Sequence, residues 1–123
     1  MKTAENRSLL IRDLRKYDRL GLSSPTLSPF TAVRRIHGAC RNEEEARSLL
    51  ALYETVRFLH ATDRHDVLEA VRYVYRPLLR HAPRSNEISL RALRYADEKH
   101  CDVRTVWRLL HAFLALYAKM RAL

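Results

Sequence analysis

The sequence lacks any long apolar segment, because no uninterrupted run of apolar residues approaches the roughly 18 that a membrane span requires. It also has only two cysteines, Cys40 and Cys101, which are expected to stay free in a reducing compartment. Residues 1–8 are polar and charged, so they lack the apolar centre of a secretory signal. We therefore predict a cytoplasmic protein without a membrane span or a structural disulfide.

Metal ligands at a recognised spacing are missing as well. The nearest ligand pairs are His37 with Cys40 and His100 with Cys101, and no second paired cysteine motif completes a set of four. We expect no bound metal and no other cofactor.

Acidic residues and lysine are scarce, whereas arginine is abundant. The chain has 14 aspartate and glutamate residues against 23 lysine and arginine residues, and its formal net charge is +9. Most of the basic residues are arginine, whose planar guanidinium binds phosphate in a bidentate manner. This charge predicts a polyanionic partner, and both nucleic acid and an anionic membrane face fit it.

The length and the apolar pattern predict one all-α domain of about five helices. A chain of 123 residues supports one core, and no alternating pattern persists long enough to indicate a strand. We divide the single domain, residues 1–123, into three parts. Residues 1–41 form a basic helix and a Ser/Pro linker, residues 42–82 a central helical pair, and residues 83–123 a helix-turn-helix.

Helix boundaries follow from caps and prolines. The first helix is expected over residues 4–20, a proline-containing linker over 22–30, and a short helix over 31–40 with Val33 and Ile36 inward. These three segments make up the basic N-terminal part.

The central pair has clearer signals. Asn42 and the three glutamates after it predict a helix start, and that helix should run to about His60. A second start is expected at Thr62-Asp63, and Pro77 should kink or end that helix. Residues 82–86 then form a connector.

The last 35 residues carry the strongest functional signal. Residues 89–99 and 103–120 have helical patterns, and residues 100–102 form a tight turn between them. Ala96 provides the small residue where the helices cross, and Val106 with Leu109 and Leu110 locks the second helix against the first. Asp102 is expected to cap the second helix.

The predicted DNA-reading residues point outward from the start of this second helix. They are Arg104, Thr105 and Arg108, whose side chains carry donors suited to phosphates and base edges. Arg91 and Arg94 are expected to flank the phosphates from the first helix. An accessory basic patch is predicted from the N-terminal helix, comprising Arg12, Arg15, Lys16 and Arg19. Plain packing within a helical bundle is the alternative reading of the same pattern.

The chain from Val67 to Met120 resembles the C-terminal part of the ArpU/RinA-type phage transcriptional regulators, which are similar to the promoter-reading end of sigma factors. The residues that carry the resemblance are Arg72-Tyr73, Ala96 and Arg104-Thr105-Val106-Trp107. The turn departs from the family pattern, since His100-Cys101 stands where glycine and an aliphatic residue are common.

The resemblance implies a phage or prophage regulator in the host cytoplasm that binds double-stranded DNA near a promoter and contacts RNA polymerase or another host protein. It implies neither a membrane partner nor enzymatic activity. Dimerisation through the exposed face of the last helix stays open, because the same pattern fits burial within a monomer.

Two other functions compete with DNA binding. A small phage-type inhibitor would use the basic helical surface to bind a host protein. A HEPN-like ribonuclease would use an arginine and a histidine separated by four to six residues. Three pairs fit, Arg76 with His81, Arg94 with His100 and Arg104 with His111, but 19 arginines produce such pairs by accident. Trp107, Phe113 and Tyr117 recur at helical spacing, which favours core packing over base stacking.

Overall fold

The computed structural model describes residues 2–82, 84 and 86–122, and the side chains from residue 5 onward within these ranges. This part of the chain folds into six α-helices and one short 3₁₀ helix, and it contains no β-strand. The elements are α1 (Lys2–Arg19), α2 (Pro29–Ala39), α3 (Glu43–Ala61), α4 (His65–Tyr75), the 3₁₀ helix (Arg76–Leu79), α5 (Glu87–Glu98) and α6 (Val103–Ala122). The predicted all-α class is confirmed.

The long helix α6 lies at the centre of the packing. It contacts α1, α3, α4 and α5, and its buried residues recur at intervals of three and four. Phe113 and Tyr117 are among the largest fully buried side chains, together with Leu10, Leu49 and Leu110 from α1, α3 and α6. Core packing of Phe113 and Tyr117 is thereby confirmed, whereas Trp107 lies half-buried at the edge of the core.

A buried polar cluster joins three helices beside Tyr117. The Asp13 side chain of α1 is only 2% exposed, and its Oδ2 accepts hydrogen bonds from Ser48 Oγ at 2.5 Å and from Tyr117 Oη at 2.6 Å. Arg121 Nε donates to Ser48 Oγ at 2.9 Å. The carboxylate is therefore satisfied inside the fold, and it ties α1 and α3 to the end of α6.

The predicted second start at Thr62-Asp63 is wrong, because Asp63 belongs to the end of α3. Its φ is +59°, its N–H donates to the carbonyl of His60, and the N–H of Arg64 donates to that of Leu59. These two bonds form a Schellman motif, in which a left-handed residue closes a helix. The next helix begins only at His65, without a side-chain cap.

The proline-containing linker is shorter than predicted. Pro29 occupies the first turn of α2, where its missing N–H leaves no partner unsatisfied, and Ser28 Oγ accepts from the N–H of Thr31 at 3.2 Å. A Ser-Pro pair thus begins a helix here, although the two prolines together favoured a linker.

Two other predicted boundaries are confirmed. Asn42 caps α3, with its Oδ1 accepting from the N–H of Glu45 at 2.9 Å. Pro77 ends α4 at Tyr75 and converts the chain to the 3₁₀ helix. Within the predicted connector 82–86, residues 83 and 85 lie outside the described residues, and α5 begins at Glu87, two residues earlier than expected.

Candidate nucleic-acid interface

The helices α4, α5 and α6 form a three-helix unit in which each contacts the other two. On α5, Ala92, Tyr95 and Ala96 are buried, so the small residue predicted at the helix crossing does lie in the interface. On α6, Val106 and Leu110 are buried and Leu109 is half-buried. The order α5, short turn, α6 is that of a helix-turn-helix.

The turn between α5 and α6 closes without glycine. His100 takes a left-handed conformation with φ +54°, and its N–H donates to the carbonyl of Asp97. The N–H of Cys101 donates to the carbonyl of Ala96 at 3.0 Å. This is the Schellman arrangement, in which glycine usually occupies the position of His100.

Asp102 caps the start of α6. Its Oδ1 accepts from the backbone N–H of Arg104 at 2.8 Å, and its Oδ2 lies 3.6 Å from the guanidinium of the same residue. The negative charge also faces the positive end of the helix dipole. The predicted cap is thus present, and it adds one carboxylate to the predicted DNA-contacting surface.

One continuous face of α6 is open to solvent. Its exposed residues follow helical spacing on the side opposite the buried residues, and they are Arg104, Arg108, His111, Ala112, Ala115, Lys119 and Ala122. The cations cluster in its first half, where the Arg104 side chain is 85% exposed and Arg108 is also exposed. Thr105 is half-buried at the border of this face. Below, "the cationic face" means the surface that carries Arg104 and Arg108, with His111 next to them.

Of the two arginines predicted on α5, only Arg94 is exposed and without a hydrogen bond or ion pair in the described part of the chain. Arg91 donates from Nε and Nη2 to the carbonyl of Tyr73, at 3.2 and 2.6 Å, and its guanidinium lies 4.2 Å from the centre of the Tyr73 ring. Arg91 therefore acts as a cap on the last turn of α4.

The accessory patch predicted on α1 is largely occupied by contacts within the protein. Arg15 donates to the carbonyls of Leu78 and His81, at 2.6 and 2.8 Å. Lys16 pairs with Glu45 at 3.4 Å, and Arg12 pairs with Asp13 at 3.1 Å. Arg19 is the member of the patch that is exposed with no such contact to a described residue.

Polar contacts between α4 and α5 hold this unit together. Glu69 Oε1 accepts from Lys99 Nζ at 2.8 Å and from Tyr95 Oη at 2.6 Å. The hydrogen bond from Lys99 lowers the pKa of Glu69, with Tyr95 contributing in the same direction. Tyr73 Oη donates to Glu98 at 3.2 Å. The C-terminal end of α5, the first helix of the helix-turn-helix, is therefore held against α4.

The predicted DNA-contacting surface did not include three exposed residues that carry donors, His111, Arg72 and Arg76. His111 lies seven residues after Arg104, a spacing that returns to the same helix face, so the helical period was a signal for it. From the sequence, Arg72 was considered only for the family resemblance, and its exposure on α4 was not predicted.

The described part of the structure gives little support for a nuclease site or a metal site. His81, a candidate in the nuclease reading, has Nδ1 2.8 Å from the carbonyl of Ala82 and Nε2 3.7 Å from the carboxylate of Glu87, so both ring nitrogens face acceptors nearby in the chain. Among the described residues, no cluster of three or more histidine, cysteine or acidic side chains has a geometry that holds a metal ion.

None of the described helices combines the length and the apolar character needed to cross a membrane. No protein-family model matches the sequence, and neither a curated protein nor a solved structure gives a significant match to it.

Proposed function

We propose that the protein binds double-stranded DNA sequence-specifically through the helix-turn-helix α5–α6 and acts as a phage or prophage transcriptional regulator. The observation that carries this proposal is the cationic face at the start of α6, which is exposed while the opposite face of the same helix is buried. In a helix-turn-helix, the start of the second helix enters the major groove and its outward side chains reach base edges.

The exposed residues have separate roles in this proposal. Arg108 and Arg104 reach a guanine edge or a phosphate, because each carries a forked set of donors. Thr105 contacts a base or the backbone from the border of the face, and Arg94 contacts phosphate from α5. Arg91 supports α5 from within the fold and makes no DNA contact.

The Asp102 carboxylate shapes this interaction. It caps α6, which keeps the first turn in place, but its charge lies beside Arg104 and opposes phosphate. Arg104 therefore exchanges its contact with Asp102 for a DNA contact on binding.

The test begins with selection of bound fragments from a random duplex pool, because the selection tests binding and sequence specificity together. Affinity for the selected duplex and for a scrambled duplex is then measured by fluorescence anisotropy across a salt series. With three free arginines at the interface, the slope of log K against log salt should be about −3. Arg108→Gln should weaken binding by roughly tenfold or more for the selected duplex.

Arg34→Gln is the matched control. Arg34 is an exposed arginine on α2, a helix that packs mainly on α3. It removes the same charge from the protein without touching the proposed interface. A salt-independent affinity, or equal losses in Arg108→Gln and Arg34→Gln, would refute the proposal.

A host-protein inhibitor is the second candidate, and one observation favours it. Leu90 and Leu93 are 56% and 52% exposed on the face of α5 that also carries Arg94. Apolar side chains of this size beside a cation suit a protein partner better than a phosphate. Co-purification of a host protein that Leu93→Glu abolishes, combined with no DNA selected from the pool, would favour the inhibitor.

A further inference from the structure

A groove runs along the side of the protein between α1, α4 and the loop that follows α1. It consists of two adjoining cavities of about 900 and 490 Å³, and Tyr17, Ser23, Val56 and Arg72 line both of them. The larger volume falls in the range of cavities that hold small organic ligands. The shared lining residues place the junction of the two cavities beside Tyr17 and Arg72.

The floor of the larger cavity is apolar. Val56 of α3, Leu68 and Val71 of α4 and Phe113 of α6 contribute to it. Leu68, Val71 and Phe113 are at most 7% exposed. An aliphatic or aromatic ligand body would therefore bury apolar surface mainly on the half-buried Val56, Leu14 and Leu79.

Tyr17 supplies an unused polar group at the junction. The residue is only 9% exposed, and its hydroxyl has no hydrogen-bond partner among the described residues. Burial raises the pKa of Tyr17 to about 12, so the phenol is protonated and available as a donor at neutral pH. The hydroxyl is not one of the buried polar atoms that lack a partner in the described ranges, so it reaches solvent in the groove and can donate to a ligand that displaces water there.

Arg72 supplies the charge. It is exposed, it makes no hydrogen bond or ion pair with a described residue, and it lies close enough to Tyr17 to lower the pKa of that phenol against the effect of burial. A guanidinium and a phenol at one point form a matched pair of donors for a carboxylate.

The rim has the charge balance for a monoanion. Arg76 and Arg91 add positive charge, whereas Asp18 and Glu69 add negative charge, and Glu69 is already bonded to Lys99 and Tyr95. Counting Arg72, the lining of the larger cavity carries one net positive charge. Arg57, which lines only the smaller cavity, is paired with Glu54 at 3.3 Å. A doubly charged phosphate would meet two carboxylates, whereas a single carboxylate is balanced.

We propose that this groove binds a small carboxylic acid with an apolar body, whose carboxylate pairs with Arg72 and accepts a hydrogen bond from Tyr17. The ligand lies between α1 and α4, away from the cationic face of α6. The proposal therefore stands independently of DNA binding.

The test uses the full chain and 3-phenylpropionate as the probe, followed by NMR titration and calorimetry. Its neutral analogue 3-phenylpropanol has the same apolar body without the charge. For a ligand of this size we expect a Kd of about 1 mM or below for the acid. Chemical shifts should move for Tyr17, Val56 and Val71, and the alcohol should bind at least about tenfold more weakly.

Variants then separate the two donors. Arg72→Gln should weaken the acid by roughly tenfold or more and leave the alcohol unchanged, and Tyr17→Phe should weaken it by about twofold to tenfold. Arg34→Gln, outside the groove, should bind like the parent protein. Thermal midpoints verify that the variants are folded.

Several results would overturn the proposal. They are the absence of saturable shifts in the parent protein at about tenfold the expected Kd, equal affinity for acid and alcohol, or Arg72→Gln binding the acid like the parent. If either variant does not fold, the location of the shifts and the acid-to-alcohol ratio in the parent protein still decide the question.

Discussion

Replacing His100 by glycine should stabilise the protein, because the turn of the helix-turn-helix forces this residue into a left-handed backbone conformation. His100 has φ +54° and closes the Schellman motif at the end of α5. For an L-residue this conformation costs about 1–2 kcal/mol, whereas glycine adopts it freely. The imidazole is exposed and makes no hydrogen bond in the described part of the chain, so its removal sacrifices no contact.

The net gain is smaller than the strain that is relieved. Glycine also loses more backbone entropy on folding, by roughly 0.5 kcal/mol or more, so we expect His100→Gly to raise the free energy of unfolding by about 0.5–1 kcal/mol. For a domain of this size, that corresponds to a rise in the thermal midpoint of roughly 2–4 °C.

Denaturant and thermal unfolding, monitored by circular dichroism, measure the effect. Asp63→Gly is the matched comparison, since Asp63 has φ +59° in the same motif at the end of α3. That variant also loses the exposed contact of Asp63 with His65 at 3.0 Å, so its gain should be equal or slightly smaller. A destabilised His100→Gly protein would refute the assignment of strain to this turn.

Three other predictions follow from the contacts described above. Tyr117→Phe removes a phenol hydroxyl that donates to the buried Asp13 carboxylate, so it should lower the free energy of unfolding by about 1–3 kcal/mol. Denaturant titration measures this loss, and an unchanged stability would contradict the role of that bond. Asp102→Ser retains a capping oxygen but removes a negative charge beside the cationic face, so DNA binding should become about twofold to fivefold tighter. Fluorescence anisotropy measures this affinity, and weaker binding would contradict the predicted effect of the charge. Glu69→Gln should reduce the loss of stability in acid. The contact with Lys99 lowers the pKa of Glu69 in the folded state, so its stabilisation is complete above the unfolded value of about 4.3 and is lost as the pH falls through the lower folded value. Equal acid profiles of the parent and Glu69→Gln between about pH 5 and 3 would contradict it.

Signals that act within a few residues made much of the fold predictable. Asn42 and Asp102 cap the helices that follow them, and Pro77 ends α4, because each effect depends on backbone groups within four residues. The buried positions of α6 were predictable for the same reason, since the helical period assigns them to one face.

Asp63 could not be assigned in this way. An aspartate between two helices suits both an N-cap and a left-handed closing residue, and the choice depends on which helix uses its backbone. Here the N–H groups of Asp63 and Arg64 donate to the carbonyls of His60 and Leu59, so Asp63 closes the C-terminal end of α3. A similar competition made Pro29 look like part of a linker when it begins α2.

The candidate site was predictable where side chains point outward and unpredictable where they bind backbone across the fold. Arg104 and Arg108 needed only the helical period. Arg15 and Arg91 instead donate to carbonyls 63 and 18 residues away, and no sequence pattern marks such acceptors.

Because several arginines bind backbone carbonyls of the protein itself, the net charge of +9 overstates the charge that is free to contact a partner. Arg35 donates to the carbonyl of Leu20 at the end of α1, Arg91 to that of Tyr73 in the last turn of α4, and Arg15 to that of Leu78 in the 3₁₀ helix. Each places a cation at the negative end of a helix, where it satisfies an orphan carbonyl and interacts favourably with the dipole. Part of the arginine content therefore has a structural reason, and fewer basic residues remain for the proposed DNA contacts than the composition indicates. A salt slope near −3 fits this division, whereas a slope far steeper would mean that DNA recruits basic residues beyond the cationic face and Arg94.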